Sequence, residues 1–135
     1  MPLHEIDEVA ARELEIYIEN DADLYHRRYI PIVKNLMGKI ARGIFDPERA
    51  VDLFMYLVDD GARRYIDRFG VPGQRIDEVF NRTTRRAVAM LLRDHFVAEA
   101  ELGNYDQYLP KYARERGGEI GPVAVRRPRA PRRRG

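Results

Sequence analysis

Gly43-Ile44-Phe45-Asp46-Pro47-Glu48 is the stretch that decides the fold of this chain. Gly43 lacks a Cβ and so can take the left-handed conformation that closes a helix. Asp46 offers a side-chain acceptor to the free amides of a following helix, and Pro47 suits its first turn, where no backbone donor is required. Six residues thus stop one helix and start another. Two helices joined so tightly are expected to lie antiparallel.

Reading outward, residues 47–69 place Ala50, Val51, Phe54, Leu57, Val58, Ala62, Tyr65, Ile66 and Phe69 on one broad face, the pattern of an amphipathic helix. Gly70-Val71-Pro72-Gly73 ends it. Upstream, Leu24, Tyr25, Tyr29, Ile32, Val33, Leu36, Met37 and Ile40 give a helix reaching about residue 42. Pro31 removes one donor from it, which predicts a kink or a split. Asn20-Asp21-Ala22-Asp23 supplies acceptors for its N-terminus. Before that, residues 5–19 form a first helix with Ile6, Val9, Ala10, Leu14, Tyr17 and Ile18 inward. Downstream, a short turn is expected at 76–80. A fourth main helix, capped by Asn81 or Thr83, then extends to about residue 101 with Val88, Leu91, Leu92, His95 and Phe96 inward. Tyr105, Tyr108, Leu109 and Tyr112 fit one more turn, broken by Pro110. No strand and no repeat is read. The fold class is all-α, a compact bundle of about four main helices: residues 1–112 are the helical domain, and residues 113–135 a flexible, Gly/Pro/Arg-rich basic tail expected to be disordered.

Charge is distributed unevenly along the chain. Residues 1–110 hold fifteen basic and twenty acidic side chains, whereas residues 111–135 hold nine basic against Glu115 and Glu119. A formal net charge of +2 therefore conceals an acidic body and a strongly basic end. The last ten residues contain six arginines, Arg126, Arg127, Arg129, Arg132, Arg133 and Arg134, and no acid. Arginines at this density release counterions on meeting phosphates, which points to DNA or RNA bound without sequence preference. An acidic protein surface is the alternative partner. Arginine outnumbers lysine twenty-one to three, a ratio that a GC-rich genome also produces.

The arginine pairs within the helices read differently. Arg27 follows Asp23 by four residues, Arg63 follows Asp59 and Arg64 follows Asp60, the favourable orientation for intrahelical ion pairs. The fourth helix carries Arg82, Arg85, Arg86 and Arg93 with no preceding acid of its own, only Asp77 and Glu78 just before it. Arg82, Arg85 and Arg86 are accordingly the candidate anion contacts of the folded body, assisting the tail.

Other chemistry finds little support. Serine and cysteine are absent, which removes the two commonest nucleophiles as well as disulfides and thiolate zinc sites. His4, His26 and His95 are scattered; pairing His95 with Glu99 would need a third ligand, so neither a metal nor a cofactor is expected. Glu13, Glu15, Glu19, Asp21 and Asp23 lack the spacing of a calcium loop and read as a solvated acidic surface, able to attract the basic tail at low salt. No run approaches the ~20 apolar residues of a membrane span, and the N-terminus lacks a signal-peptide pattern, so no membrane partner and a cytoplasmic location are expected.

Tyr17-Ile18-Glu19-Asn20-Asp21, Leu24-Tyr25, Pro31-Ile32, Lys34-Asn35-Leu36, Gly43, Phe45-Asp46 and Leu53-Phe54 with Tyr56-Leu57-Val58 carry a resemblance to small uncharacterised helical proteins of bacteriophage and plasmid-type genomes. It covers residues 14–69. The resemblance implies a helical fold in a mobile-element context and brings no active site. The sequence therefore leads to a non-enzymatic phage-type accessory protein that associates with nucleic acid through its arginine tail. The alternative is a small interaction or structural protein, such as a virion component or a host-protein inhibitor, whose tail contacts an acidic protein.

Overall fold

The computed structural model describes residues 5–115. Its elements are α1 (Glu8–Glu19), α2 (Ala22–Leu24), a π-helical turn (Tyr25–Tyr29), α3 (Ile30–Ala41), α4 (Pro47–Phe69), α5 (Ile76–Val79), α6 (Arg82–Glu101), a 3₁₀ turn (Asp106–Tyr108) and α7 (Lys111–Glu115). Among the described residues the fold is all-α. The basic tail expected over 113–135 lies outside them beyond residue 115. Ala113, on the tail side of the expected boundary, is buried in the core.

The α3–α4 connection forms as its sequence requires. Gly43 adopts φ +70°, its amide donates to the Ile40 carbonyl, and the Ile44 amide donates to that of Lys39, both at 3.0 Å. This is the two-bond closure that satisfies the last free carbonyls of a helix. Asp46 then accepts from the Glu48 amide at 3.0 Å, and Pro47 opens α4. Between the two caps Phe45 is fully buried and packs on Phe96, so the turn is pinned to the core.

Helix α1 starts at Glu8 rather than residue 5, because the Asp7 carboxylate accepts from the Ala10 amide as its N-cap. Asp7 also donates its own amide to the Thr84 hydroxyl at 3.0 Å, which fixes the start of α1 beside the start of α6. Asp21 caps α2 through the Leu24 amide.

The break expected at Pro31 takes a specific form. Helical backbone continues from α2 into α3, but the Ile30 amide donates to the Tyr25 carbonyl, five residues back. An α-helical turn would press the proline ring against the carbonyl of Arg27 and lack its bond. The wider π turn absorbs both problems just before Pro31.

Helices α4 and α6 make the most extensive helix–helix contact, and α1 lies against both. Gly61 on α4 lets Ile18 of α1 approach so closely that a Cβ there would sit 2.5 Å from Ile18 Cγ1. The core centres on Phe45, Phe54, Phe80 and Phe96, with Leu14, Leu24, Leu36, Met37 and Leu57 around them. Several expected inward positions face solvent instead: Ile6, Val9, Phe69 and Leu91 are exposed, as is His95. On α6 the buried stripe is Thr84, Arg85, Val88, Ala89, Leu92, Phe96 and Ala100.

Two glycines provide opposite tests. Gly43→Ala places a side chain in the left-handed region and is expected to lower the unfolding free energy by about 1 kcal/mol. Gly38→Ala, inside α3 with no atom within 4 Å of the added Cβ, is expected to raise it by about 1 kcal/mol. Urea unfolding followed by circular dichroism measures both.

Candidate functional site

Among the described residues, Arg27, Arg28, Arg49, Arg64, Arg85, Arg86 and Arg93 pair with acids of the folded body. Arg27 reaches Asp23 at 3.1 Å and Arg28 reaches Asp60 at 3.1 Å. Arg64 gathers Asp23 at 2.7 Å, Asp21 at 3.5 Å and Asp60 at 3.9 Å, tying α4 to the start of α2. The hydrogen bond from Arg64 holds the Asp23 carboxyl below the usual range and raises Arg64 in turn.

Arg82, Arg85 and Arg86 do not form one exposed track. Arg82 is exposed at the first position of α6. Arg85 is buried, and its guanidinium donates to Asp59 at 2.9 Å, to Asp77 at 2.6 Å and to the Phe80 carbonyl at 2.6 Å. It thereby clasps α4, α5 and α6 together, and its hydrogen bond depresses the Asp77 carboxyl. Asp59, expected to pair with Arg63, is used by Arg85 instead. Arg86 is half-exposed and lies 3.8 Å from Glu48 and 3.7 Å from Asp52, pairs of the loose, solvated kind. Arg93 bonds Asp94 and the Pro47 carbonyl. The terminal arginines, Arg126, Arg127, Arg129, Arg132, Arg133 and Arg134, lie outside the described residues.

A feature not anticipated from the sequence is a cleft of about 370 Å³ lined by Ile18, Glu19, Tyr25, Tyr29, Leu57, Leu92, His95, Glu99 and Tyr105. Ile18, Leu57 and Leu92 are its buried apolar base, while Glu19, Tyr25 and His95 are exposed at its edge. Within the π turn Tyr25 and Tyr29 stack, with centroids 5.5 Å apart and planes 21° apart. Tyr29 meets Tyr105 hydroxyl to hydroxyl at 2.7 Å, and Tyr105 stacks on Phe96 at 5.7 Å. Asn104 donates to Glu99 at 3.1 Å. Burial raises Tyr29 well above the ordinary phenol value and raises Tyr105 as well, and the charge of Glu99 adds to the effect. Desolvation, followed by repulsion from Glu19, likewise raises the neighbouring Glu15 carboxyl. Among the described residues no group of three or more side chains has the makeup of a metal site, and no helix is long and apolar enough to cross a membrane.

Comparison with protein-family models, curated proteins and solved structures finds no match.

Replacing Arg85 with Met leaves the buried Phe80 carbonyl without its donor and is expected to cost about 2 kcal/mol of stability, measured by urea unfolding. The Tyr29 phenol predicts a pH dependence of definite sign. Its folded pKa lies above the unfolded value of about 10, so the unfolded chain loses its proton first and stability falls as pH rises beyond about 10. Tyr29→Phe is expected to flatten that alkaline slope, read from unfolding curves between pH 9 and pH 11.

Proposed function

We propose that this chain is a non-enzymatic, phage-type accessory protein that associates with DNA or RNA without sequence preference, using the terminal arginines 126–134. The observation that carries the reading is the contrast in arginine usage. Arg27, Arg28, Arg64 and Arg85 of the folded body are held by Asp21, Asp23, Asp59, Asp60 and Asp77, whereas the last ten residues carry six arginines and no acid. Phosphates compete poorly for a guanidinium already bonded to carboxylates. Arginines without acidic neighbours in sequence are the stronger source of counterion release.

Arg82 and Arg86 remain supplementary contacts at the N-terminal end of α6. Arg85 is left out of the contact set, because exposing it would break its bonds to Asp59, Asp77 and the Phe80 carbonyl. Contacts of this type position a protein on a backbone and do not read bases.

Fluorescence anisotropy with labelled duplex DNA, single-stranded DNA and RNA across a potassium chloride series tests the reading. The intact chain is expected to show a slope of log affinity on log salt approaching about −5 on duplex DNA. Deleting residues 122–135 is expected to abolish this salt-sensitive binding. Retention unchanged by the deletion would move the interface to the folded body. Failure of the intact chain to bind any of the three nucleic acids would overturn the reading in favour of an acidic protein partner.

A further inference from the structure

The cleft between α1, the π turn, α4, α6 and Tyr105 has a chemistry opposite to that of the arginine tail. Its volume of about 370 Å³ falls within the range of small-molecule pockets, at the lower end, too small for a folded partner. Tyr25, Tyr29 and Tyr105 are part of its lining, and Tyr25 keeps 44% of its surface accessible. Aromatic faces attract cations through the negative charge above the ring. Glu19 and Glu99 line the cleft as well. Neither forms an ion pair among the described residues, although Asp21 and Asp23 close by are both taken by arginine. His95 is the one basic side chain in the lining, and it interacts electrostatically with Glu15.

We propose that this cleft is a binding site for a small organic cation: a guanidinium or primary ammonium group carried on a short aliphatic stem. The Tyr25 ring and the Glu19 and Glu99 carboxylates would receive the charged head, and Ile18, Leu57 and Leu92 the stem. Carboxylates supply charge complementarity while the rings desolvate the cation, a pairing that distinguishes it from a neutral molecule of the same shape. Two sources can present this chemistry, a free metabolite-sized cation or an arginine side chain of the protein's own terminal segment.

The test uses the full chain and nuclear magnetic resonance titration with n-butylguanidinium, with n-butylurea as its neutral isostere. Butylguanidinium is expected to saturate shifts at Ile18, Tyr25, Leu92 and Tyr105, and butylurea to bind roughly tenfold more weakly. Glu99→Gln and Tyr25→Leu, each at a solvent-accessible position, are expected to weaken butylguanidinium by about fivefold while leaving the circular dichroism spectrum unchanged. Replacing the six terminal arginines with glutamine separates the sources. Tighter probe binding in that chain identifies the terminal guanidinium groups as the natural occupant, and unchanged binding identifies a free cation. Equal affinity for the two probes, no saturable binding in either chain, or insensitivity to both cleft variants would overturn the proposal. None of these outcomes depends on whether the chain binds nucleic acid.

Discussion

The missing amide hydrogen of Pro31 is the constraint on which the most distinctive part of the structure depends. A proline nine residues into a helical run cannot complete an α-helical turn, and the chain answers with a π turn in which Ile30 donates to the Tyr25 carbonyl. Within this turn Tyr25 stacks on Tyr29. Tyr29 then reaches Tyr105 through its hydroxyl, and Tyr105 lies flat on Phe96, which contacts Phe45 and Phe54. Six rings thus form one connected path from the π turn into the core. It shapes a cleft wall, holds the 3₁₀ segment after α6 against the bundle, and gives the buried hydroxyls partners that would otherwise cost stability.

A second organising feature is the way charge is divided. Carboxylates at the start of α2 and along α4 neutralise arginines on neighbouring elements, and the Arg64 and Arg85 clusters join segments that are far apart in sequence. Such pairs position elements more than they stabilise them, because desolvation offsets much of the attraction. Their consequence for function is subtractive. They engage about half of the arginines of the folded body, and among the described residues they leave the Glu19 and Glu99 carboxylates of the tyrosine cleft without an arginine partner. The proposed anion-binding and cation-binding regions accordingly occupy different parts of the chain.

Local chemistry made much of the fold legible. Gly43, Asp46 and Pro47 carry their turn in their own side chains, and both ends of α4 follow from Pro47 and Gly70. Asn81 caps α6 as its position suggests, through the Thr84 amide. Periodicity was less reliable where two stripes of one helix are both apolar: on α6, Leu91 and His95 were assigned inward and lie outside, because Ala89, Phe96 and Ala100 define the true contact face. The role of Arg85 was hidden for a related reason. Counting acids four residues earlier on the same helix cannot see Asp59 on a neighbouring one. The cleft is not legible in the sequence because its lining comes from residues 18–105, drawn from α1, the π turn, α4, α6 and the segment after it. The available signal was the pairing of Tyr25 and Tyr29 just before Pro31.

The most direct test of the central claim is a through-hydrogen-bond scalar coupling measurement on isotopically labelled protein, aimed at the Ile30 amide. The π turn requires a coupling from the Ile30 nitrogen to the Tyr25 carbonyl carbon, five residues back, in the free protein. A coupling to the His26 carbonyl instead would mean an ordinary α-helical turn before Pro31 and would contradict the link from proline to tyrosine wall to cleft.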